Sequence, residues 1–270
     1  MHMGRVELSV SDLGRSVDYW QGAVGLRVLE RGGGTASLGP GSEGGESELV
    51  RLVEEPGAGS ARGHAGLFHV ARLLPERRDL ARWLAHAAQS RTPLEGLSDH
   101  AVSEAIYLRD PDEHGIEIYA DRPRELWEGR VMELMTTLPL DVDSLFAEVD
   151  EPRVELPAGT VVGHTHLCVA EIASTVDFYR DVLGFDLMAQ LGPAAAFLSR
   201  NGYHHHVGAN VWESRGAPPA PPGTARLLSA GIVVDDEADL AAVADRAGAE
   251  VVDGSLELAD PSGNRLVLSA

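Results

Sequence analysis

Apolar and polar residues alternate with a period of two over "VELSV" (6–10) and again over "THLCV" (165–169), the pattern of a half-buried strand. Each run is followed by a cap-like polar residue, Ser11-Asp12 in one case and Glu171 in the other. The period then changes to 3.6: Val176, Tyr179, Val182 and Leu183 fall on one face of a helix. Gly25 and Gly184 stand where a helix stops on a left-handed residue. Short apolar runs at 187–190, 194–199 and 204–211 predict three further strands, so the unit reads strand, helix, three strands.

The unit repeats. "VELSVSDLGRSVDYWQGAVGLRVLE" (6–30) aligns without a gap on "THLCVAEIASTVDFYRDVLGFDLMA" (165–189), matching Val10 with Val169, Val17 with Val176, Asp18 with Asp177, Trp20 with Tyr179 and Gly25 with Gly184. "RDPDEHGIEIYA" (109–120) aligns on "ADPSGNRLVLSA" (259–270), with Asp-Pro at 110–111 and 260–261. The same outline fits 64–120, with a helix near 75–90 and strands near 104–109 and 115–119, and fits 226–270. The chain is therefore α+β, four βαβββ modules curled into two half-barrel units. Modules 4–56 and 62–122 make an N-terminal domain (1–125) and modules 162–213 and 225–270 a C-terminal one (161–270). The linker 126–160 carries a candidate amphipathic helix around 141–149. The Pro-rich stretch "SRGAPPAPPG" (214–223) is a stiff connection.

Composition narrows the chemistry. At 270 residues there is ample core for two domains. A formal charge of −20 disfavours nucleic acid and anionic membranes as partners. No apolar run reaches the roughly 18 residues of a membrane span, and Met1 opens no signal-peptide pattern. All 22 basic residues are arginine, so Schiff-base chemistry on lysine is excluded. Cys168 is the only cysteine, leaving neither an internal disulfide nor a CxxC zinc motif. A cytoplasmic homo-oligomer is expected.

Four such modules resemble the vicinal oxygen chelate superfamily: glyoxalase I, fosfomycin-resistance proteins and type I extradiol dioxygenases. "GHTHLCVAEIASTVDFYRDVLGFD", "GYHHHVGANVW" and "DHAVSEAIYLRDPDEHGIEIYADRP" resemble the catechol-2,3-dioxygenase branch in particular. The resemblance implies metal ligands at the start of each module's first strand and on its last strand after Asp-Pro. Those places hold Arg5, His64, His164 and Ser229, and then Glu117 and Val267. Neither sequential pair of modules is complete, since Arg5 cannot bind a metal. Modules two and three together supply His64, His164 and Glu117, a two-His, one-carboxylate facial triad for Fe(II), with Mn(II) as the alternative. The active half-barrel is thus expected across the linker, with modules one and four metal-free. Strand parity sets Glu117 opposite Ile116 and Ile118, toward a cavity, where an unpaired carboxylate would cost several kcal/mol.

By parity His164, His166 and Cys168 share a face, so His166 is expected to contact substrate and Cys168 to be small packing. The resemblance further implies that Tyr107, ten residues before Glu117, hydrogen-bonds a substrate oxygen, and that His100 lines the substrate mouth. The turn "DPDEHGIE" carries Glu113 and His114 where "DPSGNRLV" has Gly263 and Asn264, which predicts a different turn or local strain. His204, His205 and His206, read as one strand, point alternately and cannot jointly bind one metal. The resemblance assigns the acid/base role to His205, with His204 and His206 outward or toward the linker. The implied activity is extradiol cleavage of a catechol-type diol with O₂ as co-substrate. Two rivals stay open: a glyoxalase-type isomerase, which would want more carboxylates, and a metal-free small-molecule binding or resistance protein. Four Trp, five Tyr and five Phe argue against an aromatic cage.

Overall fold

The structure is a computed structural model, and it describes residues 1–41 and 47–270. Module one runs β1 (His2–Val10), α1 (Leu13–Tyr19), β2 (Arg27–Gly32), β3 (Thr35–Gly39) and β4 (Val50–Glu54). A short β5 (Gly59–Ser60) leads to module two: β6 (Gly66–Leu73), α2 (Arg77–Ser90), β7 (Gly96–Asp99), β8 (Ser103–Arg109) and β9 (Gly115–Asp121). The linker holds α3 (Val131–Leu134), β10 (Leu138–Pro139) and α4 (Val142–Phe146). Module three is β11 (Val161–Cys168), α5 (Ile172–Asp181), β12 (Asp186–Leu191), β13 (Ala195–Ser199) and β14 (Val207–Asn210). After β15 (Thr224–Ala225), module four has β16 (Leu227–Val233), α6 (Glu237–Ala247), β17 (Ser255–Ala259) and β18 (Arg265–Ser269). The first strand expected after α6 is reduced to a single bridge between Val252 and Ser255.

Two sheets carry the fold. Seven strands run in the order β17-β18-β16-β1-β4-β3-β2, and nine in the order β10-β7-β8-β9-β6-β11-β14-β13-β12. Modules one and four therefore share one sheet, and modules two and three share the other, within a single chain. The seams are antiparallel, β1 against β16 and β6 against β11. The helices cover the apolar faces; α5, for example, buries Ile172, Thr175, Val176 and Tyr179, the i, i+3, i+4, i+7 stripe. Both sheets feed one continuous core that includes Val6, Leu8, Ile116, Leu167 and Leu198.

The linker is strapped to the nine-stranded sheet. Arg77 donates to Glu104 and to Glu148 (both 2.5 Å), β10 extends the sheet edge at β7, and Trp127 is buried. The helix expected around 141–149 is the short α4, capped by the Asp141 carboxylate, which accepts from the Ser144 amide at 3.0 Å.

The departure at 110–115 resolves into strain without a new turn. The Asp110 Oδ1 accepts from the Asp112 and His114 amides at 2.9 Å each, and Asp260 accepts from the Ser262 and Asn264 amides at 2.8 and 2.9 Å. The two turns are the same. Gly263 sits at φ +84°, and Glu113, in the matching place, is forced to φ +70°.

No helix among the described residues is long and apolar enough to cross a membrane.

Candidate metal centre and substrate cavity

The concave side of the nine-stranded sheet encloses a cavity of about 590 Å³. At its floor three ligand-type atoms converge. The His69 Nε2 lies 2.9 Å from the Glu117 Oε2, the His164 Nε2 lies 3.1 Å from that same oxygen, and the two ring nitrogens are 3.3 Å apart. All three side chains are buried. Burial pushes the Glu117 carboxyl up, but His164 and His69 outweigh it and hold the group well below the usual carboxylate range. Burial also lowers His164, against the pull of Glu117, so its ring favours the neutral form. A carboxylate and two imidazoles aimed at one point make a donor set for a divalent transition metal, and no other such group of His, Cys, Asp or Glu occurs among the described residues. In the seven-stranded sheet the matching positions are spent otherwise: Arg5 donates to Glu48 at 2.5 Å, and the Ser229 hydroxyl donates to Glu7 at 3.4 Å.

His64 is not in this group. It precedes β6, its Nδ1 lies 3.2 Å from the Ala61 carbonyl, and it lines a separate cavity of about 220 Å³. Since β6 runs antiparallel to β11, the start of β6 lies beside Cys168, at the far end of β11 from His164. His69 takes the place. Arg5, His164 and Ser229 each stand eight residues before the first residue of the following helix (Leu13, Ile172, Glu237), and His69 stands eight before Arg77; His64 stands thirteen before it. Counting back from the helix start is the sequence signal that finds His69.

Tyr107 faces the cluster because the β8–β9 hairpin pairs it directly with Glu117; the hairpin register makes the ten-residue spacing. Its hydroxyl is 2.7 Å from the His100 Nε2, while the His100 Nδ1 donates to the Thr136 carbonyl at 2.7 Å. Burial first, and the Glu117 charge second, push the Tyr107 phenol well above its ordinary value, so it stays protonated. His166 lines the wall between Phe68 (5.1 Å between ring centroids) and Trp212 (5.7 Å), and its buried Nε2 has no protein partner. Gly208 makes that possible, since a Cβ there would come within 2.8 Å of the His166 ring.

Cys168 leaves this face. A register shift between His166 and Leu167 breaks the alternation, and Cys168 lines the smaller cavity instead, its thiol pushed up to about 11 by burial.

The histidine triplet is not a strand. β14 begins at Val207, and His204, His205 and His206 form the loop ahead of it, all buried. Of the outward or linker-facing positions expected of His204 and His206, neither is outward, and His204 takes the one toward the linker. The His206 Nδ1 is 2.8 Å from the Ser199 hydroxyl. His205 enters the cavity with its ring 4.0 Å from that of His164. Its Nδ1 lies 2.7 Å from the His204 Nδ1, and the His204 Nε2 lies 2.9 Å from the Asp121 Oδ1. His204 also stacks on Trp127 of the linker at 5.4 Å.

Residues 2–118 and 161–268 match the model of the Glyoxalase/Bleomycin resistance protein/Dioxygenase superfamily. The chain belongs to that superfamily. A Bacillus subtilis (strain 168) protein named catechol-2,3-dioxygenase is 38% identical over 273 residues, spanning 96% of this chain and 94% of the relative. Among solved structures, a Bacillus subtilis protein provisionally described as a dioxygenase superposes with a TM-score of 0.66 at 14% identity, over 100% of this chain and 84% of its own. Glyoxalase I from Zea mays gives 0.61 at 17% identity, over 99% and 92%. At such identities the two structures establish the superfamily's fold and no more.

Proposed function

We propose that the chain is a metal-dependent extradiol dioxygenase that opens a catechol-type diol next to the hydroxyl pair and incorporates both atoms of O₂. One observation carries the reading: two imidazoles and a single carboxylate converge at the floor of a cavity whose wall holds His205, Tyr107 and His166. The catechol-2,3-dioxygenase relative supports it. A single carboxylate also argues against a glyoxalase-type isomerase.

His69, Glu117 and His164 would hold the metal, with Fe(II) the reading and Mn(II) the alternative. When bound, the metal supplies Lewis-acid activation of the diol and electron transfer to O₂. The protein's own part is proton handling and positioning. With the Asp121 carboxylate accepting from the His204 Nε2–H, the His204 Nδ1 is left to accept from the His205 Nδ1–H. That fixes the tautomer of His205, whose Nε2 is then a free lone pair with no protein partner. Burial, and then His164, lower His205 well below the ordinary histidine value, so the ring rests neutral; the lone pair that can accept the diol proton is open because of the tautomer and the geometry, not because of that shift. Tyr107, kept protonated, would turn its one O–H from the His100 Nε2 to a substrate oxygen on binding, and His166 Nε2 is a second polar contact.

Anaerobic reconstitution with Fe(II), followed by catechol and O₂, should yield the yellow ring-fission semialdehyde. His69→Ala should lose both bound metal and product, while His64→Ala keeps both. Metal bound without product from any catechol would favour isomerase chemistry; no metal bound would favour a binding protein.

A further inference from the structure

We infer that the preferred substrate is an uncharged catechol carrying a bulky apolar substituent. The inference rests on the ring-cleavage reading and specifies its substrate.

The cavity is larger than the reaction needs. Catechol has eight non-hydrogen atoms, whereas about 590 Å³ falls within the range of roughly 300–1,000 Å³ that houses a drug-sized ligand. Beside the cluster the lining is largely apolar, with Phe68, Phe197, Met135, Leu191 and Trp212. Trp212 and Leu191 are 52% and 55% exposed, large apolar side chains left open to water at the mouth. A substituent leaving the diol end of the ring toward the mouth would cover them.

The cation in the wall is already paired. Arg109 is the one arginine in the wall among the described residues, and its Nε donates to both carboxylate oxygens of Glu95 at 2.8 Å while its Nη1 donates to the Glu113 carbonyl at 2.9 Å. Glu95 itself lines the same wall. Both ring nitrogens of His100 are engaged, by the Thr136 carbonyl and by Tyr107. A carboxylate entering this space would meet Glu95 with no counter-ion, inside a protein of net charge −20.

Two measurements test this. The first compares kcat/KM of the Fe(II)-loaded protein for catechol, 4-tert-butylcatechol and 3,4-dihydroxybenzoate. The second follows tryptophan fluorescence as 4-tert-butylphenol or 4-hydroxybenzoate is titrated into the metal-free protein, with Trp212→Phe locating the signal. The tert-butyl compounds should win by about tenfold or more in both, the scale of discrimination an apolar pocket gives for added apolar groups. Leu191→Arg should move the ratio toward the carboxylates by a similar factor. Equal or better use of the carboxylate, or preference for unsubstituted catechol, overturns the inference alone. Turnover of none of the three with metal bound overturns ring cleavage and the inference together.

Discussion

At the scale of single residues, two side chains decide more than their surroundings suggest. His64 and His69 lie five positions apart, and only the second meets Glu117, at 2.9 Å. Module two was legible as a repeat, but starting its first strand at residue 64 selects His64; counting back from the helix start reaches His69. Glu113 is the other. The Asp-Pro turn of module four uses Gly263 in the left-handed region, and module two keeps the same turn with a side chain there, at about 1–2 kcal/mol of strain. Its carboxylate recovers one exposed hydrogen bond, from Ser60 at 2.8 Å. Glu113→Gly should therefore stabilise the protein by about 1 kcal/mol, read as a rise in Tm of roughly 2–4 °C. A fall in Tm would mean that the Ser60 contact outweighs the strain.

At the scale of elements, the β6–β11 seam shows how symmetry builds the site. The antiparallel register pairs His164 with Ala71, Thr165 with Val70 and His166 with His69. A two-fold axis through the Thr165–Val70 pair carries His164 onto His69, so the two imidazoles come from equivalent positions of two modules. In the sequence the pairing of modules two and three rests on counting His64, which the structure leaves out of the cluster; the pairing itself is found because His69 belongs to the same module. The fate of β14 was not readable from the sequence: the run "YHHHVGAN" has β-type composition throughout, and nothing local marks Val207 as its first paired residue. What holds the triplet in a loop is tertiary, namely Asp121, Ser199 and Trp127. β9 then emerges as the organising strand, since Glu117, Tyr119 and Asp121 share one face. Glu117 belongs to the cluster, Tyr119 lies against His164 at 5.0 Å between centroids, and Asp121 supports His204. Asp121→Asn removes the charge and frees the His204 tautomer. It should lower kcat by about 10²-fold, within the range of acid–base assistance, with little change in bound metal. A parallel loss of metal would recast Asp121 as part of the cluster's scaffold.

At the scale of the whole molecule, the buried histidines set a limit on acid stability. His166 and His205 are lowered well below their ordinary value, chiefly by burial, and His206 is lowered to about 3 by burial and then by the charge His204 would carry. The unfolded chain takes up protons on these rings near pH 6.5. The folded protein does not follow until far lower, so between about 6.5 and 3 the unfolded state binds more protons at His206 than the native state does. Stability contributed by the neutral ring is thus complete above pH 6.5 and is lost as pH falls through that window, at about 1.4 kcal/mol per pH unit for each such histidine. The consequence runs against intuition for a chain of charge −20, in which acid relieves self-repulsion as carboxylates neutralise. The histidine effect starts first, because carboxylates titrate nearer pH 4. Urea unfolding of the metal-free protein should therefore give a lower free energy at pH 5.5 than at pH 7.5. His206→Gln should flatten that slope by close to one proton's worth, since the remaining rings still titrate. An unchanged slope in the variant would mean that His206 is already protonated in the native protein, paired with a group other than Ser199.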